Sequence, residues 1–594
     1  MVTALERKIK ILNGVEGVSE KATGVGHLAV AAIDFGTTYS GYAFSFKSQF
    51  ETDPLNIAAK TWAGGQLQSL KGPTCVLIKP DGKTLETFGF DAETRYSQLI
   101  EIGQHTKWYY FQRFKMLLWE KAINKNSMLA DETGKMLPAL TVFSLSISYM
   151  KKDMESMSTK QLCGIGPDDI HWVITVPAIW DDSAKNFMRL ATKKAGISSE
   201  KLTIALEPEA ASIYCRHIPV ELDGTSGIAS SFRFGKKYLV LDAGGGTIDT
   251  TVHEVCFDGK LKELYKATGG AWGGTMVDKE FWDFIAELTG KDSLHRFKKD
   301  NMEDYLDLLR DFEIKKRKTD SNSQGLVTIK LPLTLMDIVE ENEGRKMKQV
   351  VQSSRYAKMV TLSGDKLRME FNIFRSFFKQ SVDNIVLHVK HLLSEPETNG
   401  VDAILMVGGY SESPLLTETI QKEFPRMKVI VPKDSGLAVM NGAVIFGHSP
   451  NLIKERVSKY TYGIDISEIF DRKIHPSEKL EKTDLGDMCR DVFDLVVKSD
   501  QKLKVGEPQF EGRYSSVAVN QSVVALNLYT TTNKDVKFVT DIGCKNIGCI
   551  DVPISGKGTG RYVKVRLYFG GTEILFECEE ESTGIVTRNV VDLM

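Results

Sequence analysis

Two short stretches set acids, glycines and hydroxyls where they could grip an anion. In residues 237–252, KYLVLDAGGGTIDTTV, the apolar run 238–241 ends in Asp242; Gly244, Gly245, Gly246 and Thr247 follow, and alternation resumes through Ile248, Thr250 and Val252. The pattern reads as strand, tight glycine turn, strand. Three glycines strip the turn of side chains, so backbone N–H groups can reach a phosphate and positive φ costs little. Thr247 adds a hydroxyl donor, and Asp242 stands where a carboxylate could hold the water shell of a cation. Taken alone, the triplet reads equally well as a structural hairpin.

The same design occurs near the N-terminus. The apolar run 28–33 ends in Asp34, followed by Gly36, Thr37, Thr38, Tyr39, Ser40 and Gly41 and then by apolar residues 42–46. A third glycine turn, Gly408 and Gly409, closes the apolar run 403–407. Two acid-tipped hairpins facing each other would hold a polyphosphate from both sides, with one divalent ion between Asp34 and Asp242. No G-x-x-x-x-G-K-[ST] follows these strands, which excludes a P-loop as the device. A matched hairpin at the head of each of two long stretches predicts an internal repeat, hence two lobes around a cleft.

These motifs need elements to carry them. The first half reads as α/β, with strands near 28–46, 74–78 and 170–176 and helices around 107–123, 138–156 and 182–195. Residues 221–237 read as a surface loop. The second half contains a hairpin at 238–256, a helical region at 275–318 and a helix at 365–393. On that helix His388 and His391 read as packing or surface residues, and KEFWDFIAEL at 279–288 reads as a core stripe. Past Pro450 the period becomes two, at 492–497, 515–529 and 562–569, the last turning at Gly570 and Gly571 into TEILFECE. This is an antiparallel β module.

At 594 residues the chain is expected to hold several units: a flexible segment 1–27 without a secretory core, lobe I at 28–220, lobe II at 221–450 with a subdomain at 275–360, and the β module at 451–594. A net charge of −2 with 26% charged residues points to neither nucleic acid nor a membrane surface. No apolar run reaches the ~18 residues of a spanning helix. Eight scattered cysteines read as reduced thiols of a cytoplasmic protein, and Cys544 and Cys549 lack a second pair at zinc-site spacing.

AIDFGTTYSG, VITVPAIWDDS, LEPEAAS, LVLDAGGGTIDT and LMVGGYSESP, in that order, resemble the signature segments of the 70-kDa heat-shock protein family, within the superfamily of actin and the sugar kinases. FGTTYSGYAFSF and GLAVMNGAVIFG look most like its atypical subfamily 12. The resemblance implies a two-lobed actin-like ATPase fold with duplicated ribonuclease-H-like halves, followed by an antiparallel β-sandwich. With the sequence ending at Met594, no helical lid is expected, and NLIKERVSKYTYGID stands where the family has an acidic-leucine linker.

The resemblance also implies ATP or ADP with Mg2+ held at Asp34 and Asp242. Gly36, Thr37, Thr38, Tyr39, Gly244, Gly245, Gly246 and Thr247 would face the phosphates, assisted by Asp249. Lys115, Glu207, Asp242 and Thr247 are the expected catalytic set. Glu207 reads otherwise as a helix-start acid favoured by the macrodipole, and Lys115 as a surface lysine on an amphipathic helix. Gly274, Glu313, Lys316, Arg317, Gly408 and Gly409 would line the nucleoside and α-phosphate end. There the chain departs from the family: Asp320 replaces a serine, Glu412 a base-stacking arginine and Gly436 an aspartate. Pro177 matches the family's proline switch, but Lys185 replaces the arginine that works with it, and a lysine cannot reproduce a bidentate guanidinium contact. The expected function is an ATP-binding, chaperone-like switch with slow hydrolysis, its β module meeting a protein or peptide partner. A nucleotide-sensing scaffold and a small-molecule kinase are the alternatives.

Overall fold

The computed structural model describes residues 26–64, 67–121, 123–161, 165–218, 231–320, 323–483, 486–516 and 519–591. Most of the N-terminal segment, most of the 221–237 loop and Cys163 lie outside the described residues.

Two sheets of matching topology carry the molecule. In the first, Ala29–Asp34 pairs antiparallel with Tyr39–Phe46 and parallel with Ile170–Val176, which pairs parallel with Leu202–Leu206. In the second, Lys237–Ala243 pairs antiparallel with Ile248–Val255 and parallel with Val401–Val407, which pairs parallel with Lys428–Ile430. The repeat expected from the two hairpins is therefore present in the strand order. These central strands are buried on both faces, which is why they read as unbroken apolar runs.

Between the sheets lies a common core. Val30 and Ala32 of the first sheet and Val240 and Leu405 of the second pack with the helices Glu207–His217 and Ala438–His448. At the crossing of those helices a Cβ on Gly442 would stand 1.7 Å from the Ala210 carbonyl oxygen, so only glycine allows the approach. Both hairpin tips are thereby fixed relative to one core.

The second sheet continues into the C-terminal region, because Ile453–Val457 joins Leu261–Gly270 and Lys502–Lys504 joins Ile453–Val457. Beyond it stand two antiparallel sheets, one of five strands centred on Thr461–Ile469 and one of four strands from Phe510–Ser515 to Ile585–Val590. Ile464, Val497 and Leu526 of the first meet Val563, Val565 and Leu567 of the second in one core.

Four sequence expectations are corrected. The helix at 107–123 is instead a strand, Tyr109–Gln112, paired with Cys75–Ile78, then a short turn and a helix of only Leu117–Glu120. Its aromatic run fits a pleated edge, and Arg113 at φ 53 breaks any helix. The helix at 365–393 begins at Phe371, since Lys366–Glu370 forms a hairpin with Val360–Ser363 about Gly364 at φ 61. The run 515–529 is split between a strand ending at Ser515 and another starting at Val523. Gly570 and Gly571 do not make a two-residue turn, because the strands end at Tyr568 and resume at Leu575. Gly570 serves instead as a close approach, its Cβ position lying 2.4 Å from the Lys504 carbonyl oxygen.

Candidate functional site

The two hairpin tips touch. A Cβ on Gly245 would lie 2.3 Å from Thr38 Oγ1, and one on Gly246 would lie 2.6 Å from Thr37 Oγ1. Around this contact runs a cavity of about 230 Å3. Asp34, Gly36, Thr37, Thr38 and Tyr39 line it from the first hairpin, and Asp242, Gly244, Gly245, Gly246 and Thr247 from the second. Lys115 and Glu207 complete this end; Gly274, Glu313, Lys316, Arg317, Gly408 and Gly409 line the other. Asp249 lies beneath the cavity rather than on its wall, 1% exposed.

The acids are in unequal company. Asp34 Oδ1 accepts from Thr175 Oγ1 at 2.9 Å, and Oδ2 accepts from Lys71 Nζ at 2.6 Å. Burial pushes the Asp34 carboxyl up, but the Lys71 ammonium outweighs it and holds the group below its ordinary value. Burial drives Asp242 well above the carboxylate range, helped by the charges of Glu207, Asp249 and Asp34. Asp249 is pushed up to about 7 by burial and by Glu207. Its Oδ2 accepts from the N–H groups of Ala178 and Ile179, next to Pro177, while the buried Oδ1 has no partner.

Lys115 is not a surface lysine. It is 3% exposed, its Nζ is 2.7 Å from Glu207 Oε1 and 5.1 Å from the Trp180 ring centre. Glu207 opens the helix Glu207–His217 ahead of Pro208, as expected, and burial raises its carboxyl against the pull of Lys115.

The glycine triplet is partly spoken for. Gly244 N–H donates to the Thr247 carbonyl, and the carbonyls of Gly244 and Gly245 accept from Gly274 and Thr275 at the start of the helix Gly274–Thr289. Gly408, at φ +85, must be glycine, since a Cβ would stand 2.4 Å from Asp242 Oδ1.

At the far end a guanidinium stands beside Glu412. Arg317 lies 5.4 Å from the Tyr39 ring centre, donates to Glu313 Oε1 at 2.7 Å and stands 3.5 Å from Glu412. Burial raises Glu313, but Lys316 and Arg317 bring it down to about 2. Lys316 is also held by Asp278 at 2.6 Å, and Asp278 by Arg113 at 3.0 Å. Asp320 does not line the cavity; its carboxylate accepts from Ser323. Sequence reasoning missed Lys71, Arg113, Asp278 and Thr175. Only Thr175 gave a signal, as a polar residue inside the apolar run VITV. His388 bonds Thr250 and Thr268, a packing role, and Lys185 stands 3.6 Å from Asp182.

A divalent ion fits the chemistry of this end. Asp242 is surrounded by acids and Asp249 Oδ1 is an orphaned buried oxygen. Among the described residues no cluster of three or more side-chain ligands forms a metal cage. One or two carboxylates completed by phosphate oxygens and water is the way Mg2+ is usually held. No described helix is long and apolar enough to cross a membrane.

Residues 102–478 match the family model described as Hsp70 protein. The chain is 34% identical to Heat shock 70 kDa protein 12A of Mus musculus over 641 aligned positions, covering 98% of this chain and 94% of that protein. It is 33% identical to Heat shock 70 kDa protein 12B of Homo sapiens, covering 95% of this chain and 91% of that protein. Chaperone protein DnaK of Mycoplasmopsis agalactiae is 24% identical, over 49% of this chain and 44% of its own. The chain belongs to the 70-kDa heat-shock protein family, among its subfamily 12-like members, and so has that family's two-lobed actin-like α/β fold and nucleotide-binding character.

Proposed function

We propose that the cleft binds ATP with Mg2+, turns it over slowly, and reports its state to the C-terminal sheets as a chaperone-like switch of the cytoplasm. The observation that carries this reading is the contact between the two hairpin tips above buried acids and a buried lysine. Thr37, Thr38, Thr247 and the N–H groups of Gly245 and Gly246 would bind the phosphates. Lys115, clamped by Glu207, would orient a γ-phosphoryl oxygen and the attacking water. Asp242, in its ionised form, would accept that water's proton. Mg2+, when bound, would neutralise charge developing on the phosphates. Gly274, Lys316, Arg317, Gly408 and Gly409 would border the nucleoside.

Coupling to the C-terminal sheets has a physical route. Two residues along from Glu207, Glu209 makes a bidentate pair with Arg456, both bonds 2.7 Å and fully buried, and Arg456 also donates to the Gly570 carbonyl. Breaking such a pair from one side is strongly unfavourable, so motion of the helix start should be felt in the C-terminal region. We place the division between lobes near 220 and the start of the β-sandwich near 451, and propose that this sandwich meets a protein or peptide.

The second reading, a nucleotide-sensing scaffold without appreciable hydrolysis, is favoured by Glu412 standing where a base-stacking arginine is expected. Single-turnover ATP hydrolysis decides between them. The switch predicts that Asp242→Ala slows turnover by about 100-fold or more, the scale of losing a general base. Equal rates for the two proteins would remove the enzymatic claim.

A further inference from the structure

Lys71 spans the cleft. Its Nζ donates to Asp34 Oδ2 on the first hairpin and to the Gly436 carbonyl in the second half, both at 2.6 Å. Its stem runs past Gly41, whose Cβ position is 3.1 Å from Lys71 Cγ, and its side chain is 16% exposed against 6% for Asp34. The lysine lines the same cavity as the two hairpin tips. An ammonium has three N–H donors, so these two bonds leave one for a further acceptor. A second cation on the same Asp34 oxygen would meet that ammonium at contact distance, a like-charge approach penalised in buried surroundings. The symmetry expected of Asp34 and Asp242 as two equal metal holders is thus broken at one end by a side chain.

We propose that Lys71 is a phosphate-positioning residue that supplies, from the chain itself, the positive charge on the Asp34 side of the site, so that nucleoside polyphosphate is held with little dependence on a divalent ion. This rests on reading the cleft as the nucleotide site. Asp34 then orients Lys71 rather than a metal, and any divalent ion is left to the Asp242 side. Because the ammonium also bonds Gly436, it draws the two halves together whether or not metal is present.

The test is equilibrium binding of ADP and ATP to the full chain, in MgCl2 and in EDTA, for wild type, Lys71→Met and Lys71→Arg. Removing the metal should weaken wild-type binding by less than about 5-fold, a weak coupling. Lys71→Met should bind in EDTA roughly 10-fold or more weakly than wild type, the scale of one charge-assisted hydrogen bond. Adding Mg2+ should then recover much of that loss, whereas Lys71→Arg should behave as wild type. Equal metal dependence in wild type and Lys71→Met would overturn the role of Lys71 while leaving the nucleotide site intact. Absence of binding to wild type under either condition would overturn both. Should Lys71→Met fail to fold, the wild-type protein decides alone: a loss of about 100-fold or more on chelation contradicts the proposal.

Discussion

The two hairpins share a topology and differ in charge. At the tip of the first, Asp34 is bonded by Lys71 and Thr175 and holds its proton less tightly than an ordinary carboxyl. At the tip of the second, Asp242 faces Glu207, Asp249 and Asp34 and holds its proton far more tightly. Strand order dictates where each acid stands; residues from elsewhere in the chain dictate what it can do. Duplication therefore yields two acids at matching positions in unlike surroundings, one bonded to an ammonium and the other crowded by carboxylates.

Substitutions can sharpen or erase that contrast. The largest effect is expected from Asp242→Ala on single-turnover hydrolysis, as above, whereas Asp34→Asn should reduce nucleotide affinity more than the rate in bound complexes. Next comes Gly408→Val, which forces a side chain into Asp242 at positive φ; a loss of about 3 kcal/mol or more in denaturant unfolding is expected, the scale of overpacking combined with backbone strain.

The pH dependence of stability should carry opposite signs on the two hairpins. Asp34, lowered in the folded state, contributes stability that is present above its ordinary value near 3.8 and lost as pH falls. Asp249, raised to about 7, is protonated when folded and ionised when unfolded between about pH 4 and 7, so stability falls as pH rises through that window. Asp249→Asn should flatten the slope in ligand-free protein by up to ~1.4 kcal/mol per pH unit, measured by unfolding at pH 5, 6 and 7. An unchanged slope would mean that Asp249 is ionised throughout. The smallest effect is expected at the nucleoside end, where Glu412→Arg restores a cation beside Arg317 and Tyr39 and should tighten ATP binding by roughly 3-fold to 10-fold through stacking.

The hairpins were legible because every requirement is local: an apolar run, an acid at its end, glycines, a threonine. Glu207 ahead of Pro208 was legible for the same reason. The strand at Tyr109–Gln112 was not, since its partner Cys75–Ile78 lies more than thirty residues away and a run of aromatics beside leucines also fits a helix. Lys71 was invisible because nothing in LKGPT shows which carboxylate the fold will bring to it. Arg317 could be placed from FEIKKRK, but its position beside Tyr39 depends on how the halves meet. Motifs confined to one strand and its turn were read, and partners brought from distant positions in the sequence were not.

Whether both tips hold one ligand is tested most directly by MgATP titration of wild type, Thr37→Ala and Thr247→Ala. One nucleotide per chain is predicted, with each substitution weakening binding by about 5-fold to 10-fold, the scale of a hydroxyl donated to a charged oxygen. If either threonine could be removed with no change in affinity, the hairpin carrying it would not touch the nucleotide, and the paired cradle would be contradicted.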